Sequence, residues 1–160
     1  NRSNDNGLEI ICTNETEIDI FYGDERRLKQ ALFNLLVNAI KFTPSGGRIE
    51  LIAEKQLGEE GEELCFIVKD SGVGIRPEDQ GRIFKLFETT NATGGRQYNG
   101  TGLGLPLVKS FVMLHGGHVQ LTSEPGQGTT VTCSIPLIRH SSPADVIHGA
   151  FPLSNEMMIN

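Results

Sequence analysis

The sequence predicts an α/β two-layer sandwich, in which one mixed, mostly antiparallel sheet carries about three helices on a single face. Two observations carry this. Segments of strand and helix periodicity interleave along the chain, and several strand pairs are joined by short polar or glycine-bearing turns that impose antiparallel pairing. A doubly wound parallel sheet would need a helix at every connection.

Taken in order, "GLEIICTNETEIDIFYGDE" reads as two short strands about a polar turn at Thr13–Glu17. Asp24 stands where a helix N-cap belongs, and helical periodicity then runs to Phe42 before "TPSGG" ends it. "RIELIAEK" and "ELCFIVKD" alternate as strands joined by an acidic loop, Leu57–Glu63. "SGVGIRPEDQGRIFKLFE" is a glycine turn leading into a short helix. The following "TTNATGGRQYNGTG" holds almost no apolar residue and cannot pack by itself, which predicts a mobile loop. "LGLPLVKSFVMLHGG" is a second apolar helix stopped by paired glycines. "HVQLTSEPGQGTTVTCSIPL" is a hairpin turning at Pro125–Gly128, with Val131, Cys133, Ile135 and Leu137 directed inward. Residues 1–137 form one domain on this reading, and the tail 138–160 lacks clear periodicity.

With 160 residues, 38% apolar and 21% charged, the chain suits one globular domain with a real core. Its net charge of −6 argues against a broad nucleic-acid or anionic-membrane surface, and leaves room for one small anion held locally. No apolar run approaches a bilayer span and no signal peptide is visible, so a cytoplasmic setting is expected, without direct membrane contact. The first residue is Asn1 rather than Met, which suggests a piece of a longer protein. Cys12, Cys65 and Cys133 are scattered without CxxC spacing and read as free thiols.

The first helix poses the sharpest question. At roughly 100° per residue, Leu28, Leu32, Leu35, Leu36 and Ala39 form an apolar face. Arg27, Gln30, Asn34, Asn38 and Lys41 fall within about 40° of a line down another side. Solvated stripes usually carry flexible charges, whereas this one centres on two short amides between apolar flanks. An amide oxygen can ligate a hard cation and an amide nitrogen can donate to phosphate. "DSGVG", Asp70–Gly74, follows a buried strand and offers a carboxylate suited to an exocyclic amine, with Gly72 and Gly74 allowing close backbone approach. "GTGLGL", Gly100–Leu105, opens the second long helix with bare backbone N–H groups, a phosphate-binding arrangement. No GK[ST] occurs and the spacing is G-x-G-x-G, so neither a P-loop nor a dinucleotide fingerprint is present.

In order, "NLLVNAIKF", "DSGVGI", "IFKLF" and "GTGLGL" resemble the N, G1, F and G2 boxes of the sensor histidine-kinase catalytic/ATP-binding domain, in the GHKL superfamily. The resemblance spans about Leu8 to Leu137 and implies the Bergerat form of the α/β sandwich. It implies that Asn38 ligates Mg²⁺ bridging the nucleotide phosphates, with Asn34 and Lys41 facing those phosphates and Phe42 near the adenine. Asp70 would accept from the adenine amine, and Gly72, Gly74 and Ile75 would shape the base pocket. Residues 82–99 would be an ATP lid anchored by Phe84 and Phe87, with Arg96 reaching the γ-phosphate. Gly100, Thr101, Gly102, Leu103 and Gly104 would wrap the phosphates. Hydrolytic relatives carry a Glu where Asn34 stands, and an amide cannot serve as a general base near neutral pH. The resemblance therefore implies ATP and Mg²⁺ as cofactors and transfer to another acceptor rather than to water.

That acceptor would be a His on an upstream dimerisation domain absent from this chain, with a response regulator next in line. None of His115, His118, His140 and His148 is followed by an acidic residue, and His115 and His118 read as solvated. A non-catalytic nucleotide-binding module acting on a partner kinase is the alternative, and a serine kinase of the anti-sigma type fits less well.

Overall fold

The computed structural model describes residues 2–3, 7–18, 20–59, 61–84, 104–137 and 150–153. Among them, six strands form one sheet in the order β1(Arg2–Ser3)–β2(Glu9–Glu15)–β4(Arg48–Gly58)–β5(Gly61–Asp70)–β7(Gly128–Pro136)–β6(His118–Glu124). Only β2 and β4 run parallel; every other neighbour pair is antiparallel. The parallel pair needs a crossover, and helix α1(Glu25–Phe42) lies within it. The sheet is mixed and mostly antiparallel, as the hairpin signals predict.

Alternation sets the core face. Ile49, Leu51 and Ala53 on β4, Leu64, Phe66 and Val68 on β5, and Val131, Cys133 and Ile135 on β7 are all buried. Against them α1 sets Leu28, Ala31, Leu32, Leu35 and Ala39, and α3(Gly104–Leu114) sets Val108 and Val112. Helix α3 ends as the paired glycines predict. Gly116 at φ +74° donates to the Met113 carbonyl at 3.0 Å, and Gly117 donates to that of Val112 at 3.0 Å, a Schellman closure. Helix α2(Pro77–Gln80) is a single turn. No helix among the described residues is long and apolar enough to cross a membrane.

Three elements differ from the sequence reading. The segments around Thr13–Glu17 are not a hairpin: β2 runs through Glu15 into the main sheet, while β3(Ile20–Tyr22) pairs elsewhere. The loop at Leu57–Glu63 contracts, because β4 and β5 stay paired out to Gly58 and Gly61. Within the tail, β8(Ala150–Pro152) pairs antiparallel with β3, registering Phe151 against Phe21. Leu153 beyond it is buried in the core, and its carbonyl accepts from Asn14 Nδ2 at 3.2 Å. A three-residue strand is too short to leave a periodic trace.

Candidate functional site

Helix α1 is fixed at both ends. The Asp24 carboxylate accepts the Arg27 backbone N–H at 3.1 Å, the cap the sequence calls for. The Asp24 N–H donates to Nε2 of His115 at 2.9 Å, while Nδ1 of His115 lies 2.7 Å from the Phe111 carbonyl. Those partners assign the proton to Nδ1. His115 is thus buried between the end of α3 and the start of α1, contrary to the solvated position expected, whereas His118 is exposed. A helix-terminal histidine looks the same in sequence whether or not another element's N–H meets it. At the far end, Thr43 Oγ1 donates to the Ala39 carbonyl at 2.6 Å, and the Phe42 carbonyl accepts from Val73 N–H at 3.2 Å. That last bond ties the helix to the turn after β5.

The amide stripe is real. Gln30 Nε2 donates to Asn34 Oδ1 at 3.3 Å, one helical turn apart. The Nδ2 of Asn34 is buried with no hydrogen-bond partner among the described residues. Asn38 is half-buried, and a Cβ placed on Gly104 would stand 3.5 Å from its Nδ2 and 4.0 Å from Asn34 Cβ. The first residue of α3 therefore comes directly over the two amides. Lys41 Nζ lies 5.2 Å from the Phe42 ring centroid.

Asp70 ends β5 on the same core-facing side as Val68. Its Oδ1 accepts two backbone N–H groups, Gly72 at 2.8 Å and Thr129 at 3.2 Å. Burial lifts the Asp70 carboxyl above its ordinary value, and the two N–H donors pull it part of the way back. Gly72 leaves no room for a side chain, since a Cβ would sit 2.6 Å from the Phe42 carbonyl oxygen. Gly74 adopts φ +69°, and the space a Cβ would take is filled by the Glu124 carbonyl at 2.0 Å. Ile75 N–H donates to Ser123 Oγ at 2.8 Å.

The structure thus brings Asn34, Asn38 and Gly104 together, and separately joins Phe42, Gly72 and Asp70 at the end of α1. Phe84, after α2, has its ring 6.0 Å from Lys109 Nζ of α3. Phe87, Arg96, Gly100, Thr101, Gly102 and Leu103 lie outside the described residues. Thr129, Ser123 and Gln80 escaped the sequence reading. Only the Gly-Thr that opens β7 hinted at them, and its link to Asp70 exists through strand register alone. The thiols are free as expected; burial pushes Cys133 up to about 12 and raises Cys65 as well, so both are unreactive. Among the described residues no group of three or more His, Cys, Asp or Glu could hold a metal.

An α/β sandwich with polar amides along one helix and a half-buried carboxylate at a strand end is the arrangement that the resemblance to a nucleotide-binding class of protein implies. Residues 23–139 match the family described as histidine kinase-, DNA gyrase B-, and HSP90-like ATPases, and the chain belongs to that family. It is 45% identical over 119 residues to the circadian input-output histidine kinase CikA of Synechococcus elongatus, covering 74% of this chain and 15% of that protein. It is 42% identical over 129 residues to the histidine protein kinase DivJ of Caulobacter vibrioides, covering 81% of this chain and 20% of that one. The chain therefore spans a fifth or less of these two relatives. Among solved structures, the nucleotide-free catalytic domain of the histidine kinase ThkA superposes with a TM-score of 0.68 at 28% identity, covering 82% of each chain. Full-length ShkA in complex with AMPPNP gives 0.70 at 32% identity, covering 88% of this chain and 28% of that one. Fold and relatives alike are those of the sensor histidine-kinase ATP-binding catalytic domain.

Proposed function

We propose that this domain binds MgATP and presents its γ-phosphoryl group to a histidine on an upstream helical domain of the same protein, as the catalytic part of a two-component sensor kinase in the cytoplasm. The observation that carries this is the buried Nδ2 of Asn34, which has no hydrogen-bond partner among the described residues. A buried amide N–H without an acceptor costs on the order of 1–3 kcal/mol, and an anionic ligand oxygen would relieve it. Asn38, beside it under Gly104, offers an amide oxygen to the cation, and Lys41 adds positive charge a turn further on. Mg²⁺ on Asn38 would neutralise phosphate charge as it builds on the leaving group.

In the transfer, the bond from the γ-phosphorus to the β–γ bridging oxygen breaks and ADP keeps that oxygen. A P–N bond forms to the imidazole, whose N–H proton is released. Asn34 supplies no base, so water at the same site is not activated, which favours phosphotransfer over hydrolysis. Asp70 sets the base by accepting the adenine amine on Oδ2, the oxygen that the backbone donors leave available. A response regulator would then take the phosphoryl group from the histidine.

Calorimetric titration with ATP, with and without Mg²⁺, tests the reading. Asp70→Asn should abolish binding, and Asn38→Ala should remove its Mg²⁺ dependence. No binding by the unmodified protein at millimolar ATP would overturn it.

A further inference from the structure

Strand register places Asp70, Thr129 and Ser123 directly opposite one another across β5, β7 and β6. Residues opposite each other on neighbouring strands share a face, so the three side chains form one row on the core side. The hydrogens in that row are fully assigned. Ser123 Oγ lies 2.9 Å from the Gly128 carbonyl, and a carbonyl can only accept, so the single hydroxyl hydrogen of Ser123 goes there. Ser123 Oγ also lies 2.9 Å from Thr129 Oγ1. With the Ser123 hydrogen already used, the hydrogen of that contact must come from Thr129. Ser123 accepts a second bond from Ile75 N–H, which completes its valence. Gln80 Nε2 locks the arrangement by donating to the Ser123 carbonyl at 2.9 Å and the Ile75 carbonyl at 3.0 Å.

Thr129 Oγ1 is consequently left with lone pairs alone. Beside it, Asp70 Oδ1 is filled by the Gly72 and Thr129 backbone donors, and Oδ2 is an acceptor. We propose that Ser123 is a positioning residue for base selectivity: by taking the Thr129 hydroxyl hydrogen it makes the Asp70–Thr129 edge acceptor-only, which admits the 6-amino group of a purine nucleotide and rejects a 6-oxo group. An exocyclic amine offers two N–H groups to such an edge. A carbonyl offers none, and its lone pairs face those of the protein. Without Ser123 the Thr129 hydroxyl is free to turn and donate, and the carbonyl becomes acceptable. A site built to satisfy one hydrogen-bonding pattern discriminates strongly because the wrong ligand leaves buried groups unpaired.

This inference rests on the placement of the base against Asp70. The test is the ratio of ATP to ITP affinity, two ligands that differ only at the purine 6-position and the adjoining N1 proton. The unmodified domain should favour ATP. Ser123→Ala should reduce the ratio by about tenfold or more, chiefly through tighter ITP binding, and Ser123→Thr, which keeps the hydroxyl, should retain it. A merely structural role would weaken both nucleotides together and leave the ratio unchanged, and that result overturns the proposal. Should Ser123→Ala fail to melt cooperatively, Thr129→Val removes the discriminating oxygen while keeping the N–H to Asp70. It should lower the ratio by less, since valine cannot donate in turn, and an unaltered ratio again overturns the proposal. Asp70→Asn separates the two levels. If it leaves ATP binding intact, the base placement itself fails; if it abolishes binding while Ser123→Ala keeps the ratio, only the role of Ser123 falls.

Discussion

Asp70 illustrates how function and stability oppose each other at one residue. Its carboxyl is lifted by burial, so the folded form takes up a proton more readily than the unfolded form. Stability therefore falls as pH rises from the ordinary aspartate range through the raised value, and the deficit persists at neutral pH. Asparagine preserves the acceptor for the Gly72 and Thr129 N–H groups without the charge. We expect Asp70→Asn to raise the Tm of the nucleotide-free domain near neutral pH, with the gain vanishing in acid, where the aspartate is protonated. Thermal melts across pH check this, and a neutral-pH Tm equal to or below that of the unmodified domain would contradict it. ATP should raise the Tm of the original protein and not of the variant, by the linkage of binding to folding. Much of this residue scale was legible in the sequence: the amides of Asn34 and Asn38, the carboxylate and the tight glycines are all local signals. Ser123 and His115 were not, because their partners, Thr129 and Asp24, meet them only through register and tertiary packing.

At the scale of elements, the long periodic pieces and the short helix α2 were read correctly, whereas the pairing of β3 and the existence of β8 were not. Eighteen residues of α1 repeat an apolar face often enough to be seen, and an Asp at the N-cap marks its start. Strands β3 and β8, three residues each, carry no such repetition. Their pairing nevertheless matters energetically. Leu153 is 6% exposed, packs with the core cluster that includes Phe21, and hands its carbonyl to Asn14. That same Asn14 accepts from Thr16 N–H and from its hydroxyl through Oδ1, so the tail closes a small, partly buried polar knot. Leu153→Ala should destabilise the domain by about 2–3 kcal/mol, the usual range for truncating a buried leucine. Denaturant titration measures it. A loss below about 0.5 kcal/mol would show that β8 merely rests on the surface.

At the scale of the whole molecule, the sheet presents one face to the helices, and α1 and α3 meet at the amides of Asn34 and Asn38. On the function proposed above, this arrangement would grip phosphates, and neither histidine among the described residues stands as their acceptor. His115 is enclosed by α1 and α3, and His118 opens a strand. We expect no covalent label to appear on the isolated domain after incubation with γ-labelled ATP, while addition in trans of a helical domain bearing the phosphoacceptor histidine restores labelling of that domain. Stable label on this chain alone would contradict the division of labour between the two domains. The overall architecture was legible because strand and helix periods alternate. The pairing of β2 parallel to β4 was not, since nothing in a short strand records the direction of its neighbour.

The anchoring of α1 at both ends has a consequence for how such a chain can change length. His115 holds its N-cap, Asp24, and Val73 its last residue, so the helix cannot slide, and Asn34 and Asn38 point where they do only because four residues make about one turn. One residue gained or lost between them would swing one amide by about 100° away from the other. The β4–β5 hairpin, paired to its tip at Gly58 and Gly61, carries no such restriction, and Leu57 beside it is 84% exposed. Lineages of this domain are free to lengthen that hairpin, whereas the helix must keep its count.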